Sequence, residues 1–271
     1  MRIGLPQWQH PHWKRLGLET LADYARWFNC VEGNTTLYSV PKMETVLRWR
    51  TMTDDSFRFC FKFPATISHQ SGLVQTGDLL ADFLRTLDPL ADRIAQYWLQ
   101  LPATFAPHHL PALWRFLDAL PRRFRYGVEV RHSAFFAKGE AEKSLNQGLA
   151  ARGVNRVMLD SRPVHTSTSQ SPAAIDARAK KPRVPPHAIR TGRQPMVRFI
   201  GSDSVEESVP LFQPWLAKLA AWQQESEPLL FIHTPDMGQV FSLLNALWPQ
   251  LQPLAPTLPA PPAWPQQEAL F

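Results

Sequence analysis

The residues of this sequence that can do chemistry are charged side chains set at the ends of apolar runs. Glu32 and Asn34 lie two apart, as do Glu129 and Arg131. Side chains two apart on an extended strand share a face. Lys62, Gln100, Asp160, Arg198 and His233 stand inside or just after similar runs. The set mixes three carboxylates with three strong cations. Burying such charges costs on the order of several kcal/mol each unless they pair. A dense network of opposite charges also perturbs pKa values, as catalytic sites do. Glu32 or Glu129 is therefore the candidate base, and His69 or Asp160 the candidate acid or orienting group. Glu129 with Arg131 alone reads equally well as a structural ion pair, and a lone loop histidine such as His69 is often incidental.

An anion is the ligand this set suits best. Arg131, Arg198 and Lys62 offer forked or point-charge contacts to phosphate or carboxylate, with Asn34 and Gln100 among them. Gly201 and Ser202 fall where α/β barrels often hold a phosphate on backbone amides. A divalent metal is the second option, with Glu129, His132, Asp160, His69 and His233 as oxygen and nitrogen donors. No H-E-x-x-H or Cys-x-x-Cys spacing supports it, and the three cations oppose it, so its ligand set stays unassigned. The chain has no G-x-G-x-x-G and no P-loop motif, so no nucleotide cofactor is expected. It has no nucleophile elbow or triad either. Trp8, His10, His12 and Trp13 crowd the first connection, with Tyr38 further on. Beside a positive rim such rings can stack bases, although packing is the commoner use of Trp and Tyr.

The elements that must position these groups are eight apolar runs, at 2–7, 30–34, 57–63, 96–101, 125–130, 155–160, 196–201 and 229–233. A buried parallel strand reads as a near-continuous apolar run, so a charge at its carboxyl end marks the place where α/β enzymes put their chemistry. Alternation points Cys60 and Lys62 inward with Glu32, Asn34, Gln100, Glu129, Arg131, Asp160, Arg198 and His233. It points Phe59, Phe61, Phe63, Val128 and Val130 toward helices. Helical spacing recurs between the runs, at Thr20–Phe28, Pro41–Arg50, Asp78–Leu90, Leu110–Leu120, Ala141–Arg152, Leu211–Trp222 and Met237–Trp248. Strand–helix alternation means parallel pairing with right-handed crossovers. Eight units in 271 residues predict a single-domain TIM-type (β/α)8 barrel, which typically needs about 250 residues. The predicted division is a barrel over 1–248, a long irregular loop at 161–195 after strand six, and a proline-rich tail at 249–271.

The net charge of +6 sits in one place. Residues 161–195 carry seven cations (Arg162, Arg178, Lys180, Lys181, Arg183, Arg190 and Arg193) against one acid, Asp176. A focused positive field attracts anions, and a segment after strand six should hang over the same end of the barrel as the charged set. Lys, Pro and Ser also favour a solvated loop. No apolar run approaches the ~20 residues of a membrane helix. The start, MRIGLPQW, runs directly into a strand without a signal-peptide core. Cys30 and Cys60 read as small buried apolar groups rather than a disulfide. The expectation is a cytoplasmic protein with no membrane partner.

Four stretches extend this reading: FNCVEGNTTLY at 28–38, FKFPATISH at 61–69, LQLPATF at 99–105 and VEVRH at 128–132. They resemble the bacterial YecE family, also called domain of unknown function seventy-two, and the similarity runs from Ile3 to about His233. The resemblance implies a TIM-type barrel, in agreement with the strand count, and carries no activity. Two positions depart from the family pattern. Ile200 replaces a histidine of an Arg-x-His-Gly motif, and His233-Thr234 replace two asparagines.

The last five residues read Q-x-x-L-F. They resemble the short peptide that docks bacterial proteins onto the DNA polymerase sliding clamp, with Gln267 hydrogen bonding and Leu270 and Phe271 filling an apolar pocket. An apolar terminus also commonly folds back on its own domain. The leading expectation is an enzyme acting on a phosphorylated or acidic small molecule by acid–base chemistry, with hydrolase, lyase and isomerase all open. The alternative is a nucleic-acid-binding or processing protein that uses 161–195 for phosphates and Trp8–Trp13 for stacking.

Overall fold

A computed structural model describes residues 1–264. All eight apolar runs form strands: β1 Arg2–Gly4, β2 Cys30–Gly33, β3 Arg58–Lys62, β4 Ile94–Gln100, β5 Tyr126–Glu129, β6 Asn155–Arg156 with β7 Met158–Asp160, β8 Met196–Ile200 and β9 Leu229–His233. The sixth run is split at Val157. Every pairing is parallel. The strands make two sheets, β1-β9-β8-β7 and β2-β3-β4-β5-β6.

The expected single closed ring of eight strands is corrected here, because the two sheets are not closed into one by ladders. At one seam the chain passes from β6 to β7 through Val157, whose amide donates to Val128 O at 2.9 Å. At the other, Glu32 N donates to Leu5 O at 3.0 Å. The ladder goes no further there. β1 is only three residues long, and Pro6 has no N–H to extend it.

Strand alternation sorts the side chains as the sequence suggests. Cys30, Cys60, Trp98, Val157, Met196, Leu229 and Phe231, drawn from both sheets, form one small apolar cluster. Phe59, Phe61, Phe63, Tyr97, Leu99, Val128, Val197, Phe199, Leu230 and Ile232 point the other way, into the main core with the helices. The inward residue at the next position along β2, β3, β4, β5, β8 and β9 is polar.

The helices α1 Leu21–Ala25, α2 Met43–Met52, α3 Gly77–Leu87, α4 Leu110–Asp118 and α5 Glu140–Ala151 follow the apolar periodicity within a few residues. α1 opens on the expected cap, with Thr20 and Asp23 forming a reciprocal capping box. The segment after β7 is not irregular throughout. It holds α6 Arg162–Thr166 and α7 Pro172–Lys180. Each has proline in its first turn, where the missing N–H costs nothing, so residues that read as loop formers start these helices. α8 Val205–Gln223 begins before the expected Leu211 and carries Pro210 and Pro214 inside it. α9 Val240–Leu251 runs through Pro249. Beyond it, Asn245 Nδ2 donates to Pro262 O at 3.0 Å and Ala255 is buried. Gln267, Leu270 and Phe271 lie outside the described residues. Among the described residues no helix is long and apolar enough to cross a membrane.

Candidate functional site

Arg198, on β8, is the centre of the polar layer. Its Nε and Nη2 donate to the two oxygens of Glu32 on β2, at 2.9 and 2.8 Å, and its Nη1 donates to Glu129 Oε2 on β5 at 2.5 Å. The other oxygen of Glu129 accepts from Arg131, with Nε at 2.8 Å and Nη2 at 2.7 Å. His233 Nε2, at the end of β9, lies 3.2 Å from Glu32 Oε2. Lys62 Nζ, at the end of β3, donates to Gln100 Oε1 at 3.0 Å and stands 3.9 Å from Glu32 Oε1. Trp98 floors this layer, its ring 4.7 Å from Lys62 Nζ and 4.8 Å from the Arg198 guanidinium. Six strands from both sheets thus contribute to one network, although its members are up to 201 positions apart in the chain.

The charges follow from this geometry. Burial opposes ionisation of Glu129, but Arg198, Arg131 and Lys62 overcome it and hold the carboxyl at about 2. Glu32 is held well below the carboxylate range in the same way, against its burial, by Arg198, His233 and Lys62. Burial works against the Arg198 charge too, and Glu32 and Glu129 override it and raise the pKa. His233 is lowered to about 4 by burial, despite Glu32, so its neutral ring donates Nε2–H to that carboxylate. Lys62 is lowered to about 7 by burial and by Arg198, against the pull of Glu32 and Glu129.

Above this layer opens a cavity of about 450 Å³, lined among others by Asn34, Lys62, Gln100, Arg131, Arg198 and His233. Its far wall comes from Asp176, Ala177 and Lys180 of α7 and from Lys181 immediately after it. The helix is held there by local bonds. Ser169 and Ser171 both donate to Asp203 Oδ2, in the connection after β8, and Ser171 caps α7 at Ala174 N. Ser161 donates to Pro182 O at 2.7 Å beyond the helix. Leu159, Ile200, Val164 and Ala177 pack beneath. Four residues of the basic segment thus line the same cavity as Lys62, Arg131 and Arg198. Lys180 pairs with Asp176 at 2.7 Å. Lys181 pairs with no carboxylate among the described residues, and burial and Arg198 lower it to about 8.

Several expected site residues lie elsewhere. Asp160 points away from the cluster, because the inward positions of the run 155–160 are Asn155, Val157 and Leu159. Its buried carboxylate accepts from Trp215 Nε1 at 2.8 Å and from Arg162 Nη2 at 2.7 Å, clasping α6 to α8. Gly201 offers no anion cradle. Its amide donates to His233 O at 2.9 Å and that of Ser202 to Ser208 Oγ at 2.9 Å. His69 is exposed, with Nδ1 2.8 Å from Ser68 Oγ, and its pKa is lowered by partial burial and by Arg131 and Lys62. Asn34 Nδ2 donates to Pro6 O at 3.0 Å, which leaves its Oδ1 buried and unpaired. No group of three or more His, Cys, Asp or Glu side chains able to hold a metal occurs among the described residues. His132, one expected donor, instead accepts Ala134 N at 3.2 Å. Trp13 is buried and donates to Met237 O, and Trp8 packs edge-on against Trp49 at 5.2 Å. Trp98 escapes the sequence reading, hidden among the apolar residues of β4, while Lys181 enters it only as one of the seven cations of the basic segment.

A family described as "Protein of unknown function DUF72" matches residues 2–268. The chain is 61% identical to UPF0759 protein YecE of Escherichia coli K12 over 269 residues, 99% of each chain. The protein of the same description from Escherichia coli O157:H7 matches to the same extent. Among solved structures, a DUF72 family protein of Enterococcus faecalis V583 superposes with a TM-score of 0.70 at 19% identity, over 97% of this chain and 98% of that one. One of Thermotoga maritima MSB8 gives 0.65 at 17% identity, over 88% and 93%.

Proposed function

We propose that this chain, which belongs to the DUF72 family, binds a small anionic substrate at the carboxyl ends of its strands. In this reading the two sheets act as one barrel-like enclosure whose mouth is the 450 Å³ cavity. One observation carries it: the carboxylates lie under the site and the cations line it. Glu32 and Glu129 are engaged by Arg198 and Arg131. The cavity wall itself carries Lys62, Arg131, Lys180, Lys181 and Arg198 against Asp176. A concave pocket with that excess of cations favours a carboxylate or phosphate.

The roles divide accordingly. Glu32 and Glu129 fix two guanidinium groups, and a carboxyl held at about 2 is a weak base at neutral pH. Lys62, at about 7, is the group placed to exchange a proton, since proton transfer is most effective from a group that titrates near the working pH. Asn34 Oδ1 remains to accept from a ligand hydroxyl.

The test is thermal stabilisation by phosphate and by small hydroxy acids. A ligand that binds only the folded form raises the melting temperature as its concentration exceeds Kd. The rise is expected in the native protein and is expected to shrink by roughly tenfold in affinity or more in Arg131→Ala and Lys181→Gln, as charged hydrogen bonds are worth about 1.5–3 kcal/mol. Equal stabilisation by neutral polyols of the same size would sink this reading.

A further inference from the structure

Lys62 differs from the other amines at the cavity. It extends from a strand rather than a loop, and Gln100 Oε1 fixes its Nζ at 3.0 Å. The indole of Trp98 covers one side of it at 4.7 Å. The groups facing it are Arg198 from β8, Glu32 from β2, Glu129 from β5 and Arg131 just beyond it, Gln100 and Trp98 from β4, and His69 from the turn at Thr66–Gln70. By contrast Lys180 is 71% exposed and paired with Asp176.

A lysine on a rigid strand, desolvated and set beside a fixed cation, is the arrangement that makes an amine nucleophilic. We infer that Lys62 condenses with the carbonyl carbon of a small 2-oxo acid whose carboxylate is held by Arg131 and Lys181. This rests on the anion reading of the same cavity and names the substrate class.

The step needs no external oxidant or reductant. The neutral Nζ donates its lone pair to the carbonyl carbon, and the C=O π pair moves to oxygen. That oxygen takes a proton while Nζ releases one, giving a carbinolamine. The hydroxyl then leaves as water, with a second proton supplied by the Lys181 ammonium. The nitrogen lone pair closes the C=N bond, and the product is an iminium ion of Lys62 plus one water. The amine is available because burial and Arg198 bring its pKa to about 7.

The full-length protein is incubated with glyoxylate, pyruvate or 2-oxoglutarate and cyanoborohydride, and the lysines are mapped by peptide mass spectrometry. Cyanoborohydride delivers hydride to an iminium carbon and leaves a stable carboxyalkyl-lysine. Lys62 is expected to be alkylated by at least one acid, roughly tenfold or more faster than exposed lysines such as Lys143. Excess 2-hydroxy acid of the same skeleton should suppress it, and Lys62→Arg should abolish it. Mapping the unmutated protein keeps the test valid if that variant does not fold. No Lys62 adduct with any of the three acids, or labelling no faster than at Lys143, overturns the inference. Lactate and 2-hydroxyglutarate separate the two proposals, because they carry the anion and lack the carbonyl. Thermal stabilisation by them without a Lys62 adduct leaves the anion site standing and removes the nucleophile. Neither stabilisation nor adduct removes both.

Discussion

Arg198 and Glu32 meet through two parallel hydrogen bonds across the interior, 2.9 Å from Nε and 2.8 Å from Nη2, with both side chains almost wholly buried. Such a pair is not evidence of stability in itself, because desolvating two ions can cancel their attraction. Removing one partner is different, since the other stays buried and uncompensated. Glu32→Ala is expected to cost about 3–5 kcal/mol, read from urea unfolding. Replacing Glu32 and Arg198 together by Leu and Met should cost clearly less than the two single changes combined. A strictly additive double variant would show that the two residues are not coupled.

Acid should weaken the fold in two stages. His233 titrates at 6.5 in the unfolded chain and at about 4 when folded. Between those values the unfolded state binds more protons at this residue, so the His233 contribution to stability rises with pH there and is constant above 6.5. Glu129 falls from 4.5 to about 2 on folding, so its contribution is present above 4.5 and is lost as pH drops through about 2. His233→Gln should flatten the upper stage, on the order of a few kcal/mol, and leave the lower one. Urea midpoints followed across the acid range for both proteins would show this, and an unchanged upper stage in the variant would contradict it.

How much of this could be seen in the chain depended on period. Two-residue alternation placed Glu32, Lys62, Gln100, Glu129, Arg131 and Arg198 on one side correctly, since pleat geometry alone decides it. Counting inward from the end of a run misplaced Asp160. Alternation along 155–160 starts from Asn155, whose Nδ2 reaches Gln96 at 2.5 Å, and this sends Asp160 outward. Sheet closure was not legible, because it depends on whether a three-residue strand ending at Gly4, two residues before Pro6, can sustain a ladder. The use of Gly201 was not legible either, since its amide partner is the carbonyl of His233, 32 positions on. α7 was hidden because its proline and serine do opposite things in a loop and at a helix start.

Asp160 supplies a separation between stability and binding. Its carboxylate accepts from the Arg162 side chain and from the Trp215 indole while fully buried. Asp160→Asn should lower stability by roughly 1–3 kcal/mol, as expected when a buried charge-assisted acceptor is lost. Stabilisation by hydroxy acids at the cavity should keep its midpoint concentration. A large loss of anion affinity with unchanged unfolding would return Asp160 to the site.

The seam between β1 and β2 gives the sharpest steric prediction. A Cβ on Gly4 would fall on the carbonyl oxygen of Cys30, which is backbone and cannot rotate away. A Cβ on Gly201 would first meet Leu243 Cδ2 at 2.5 Å, the tip of a flexible side chain. Both glycines are buried, so the chemical change is the same and only the obstacle differs. Overpacking typically costs about 1–3 kcal/mol and occasionally more. Gly4→Ala should reach or pass the top of that range, and Gly201→Ala should stay near its foot. Gly4→Ala should also weaken hydroxy-acid binding, because the Leu5 carbonyl that orients Glu32 N sits one residue beyond it, and Glu32 in turn fixes Arg198. Melting curves of the two variants with and without ligand decide the matter. Equal destabilisation, or intact binding in Gly4→Ala, would mean that β1 does not set the position of Glu32.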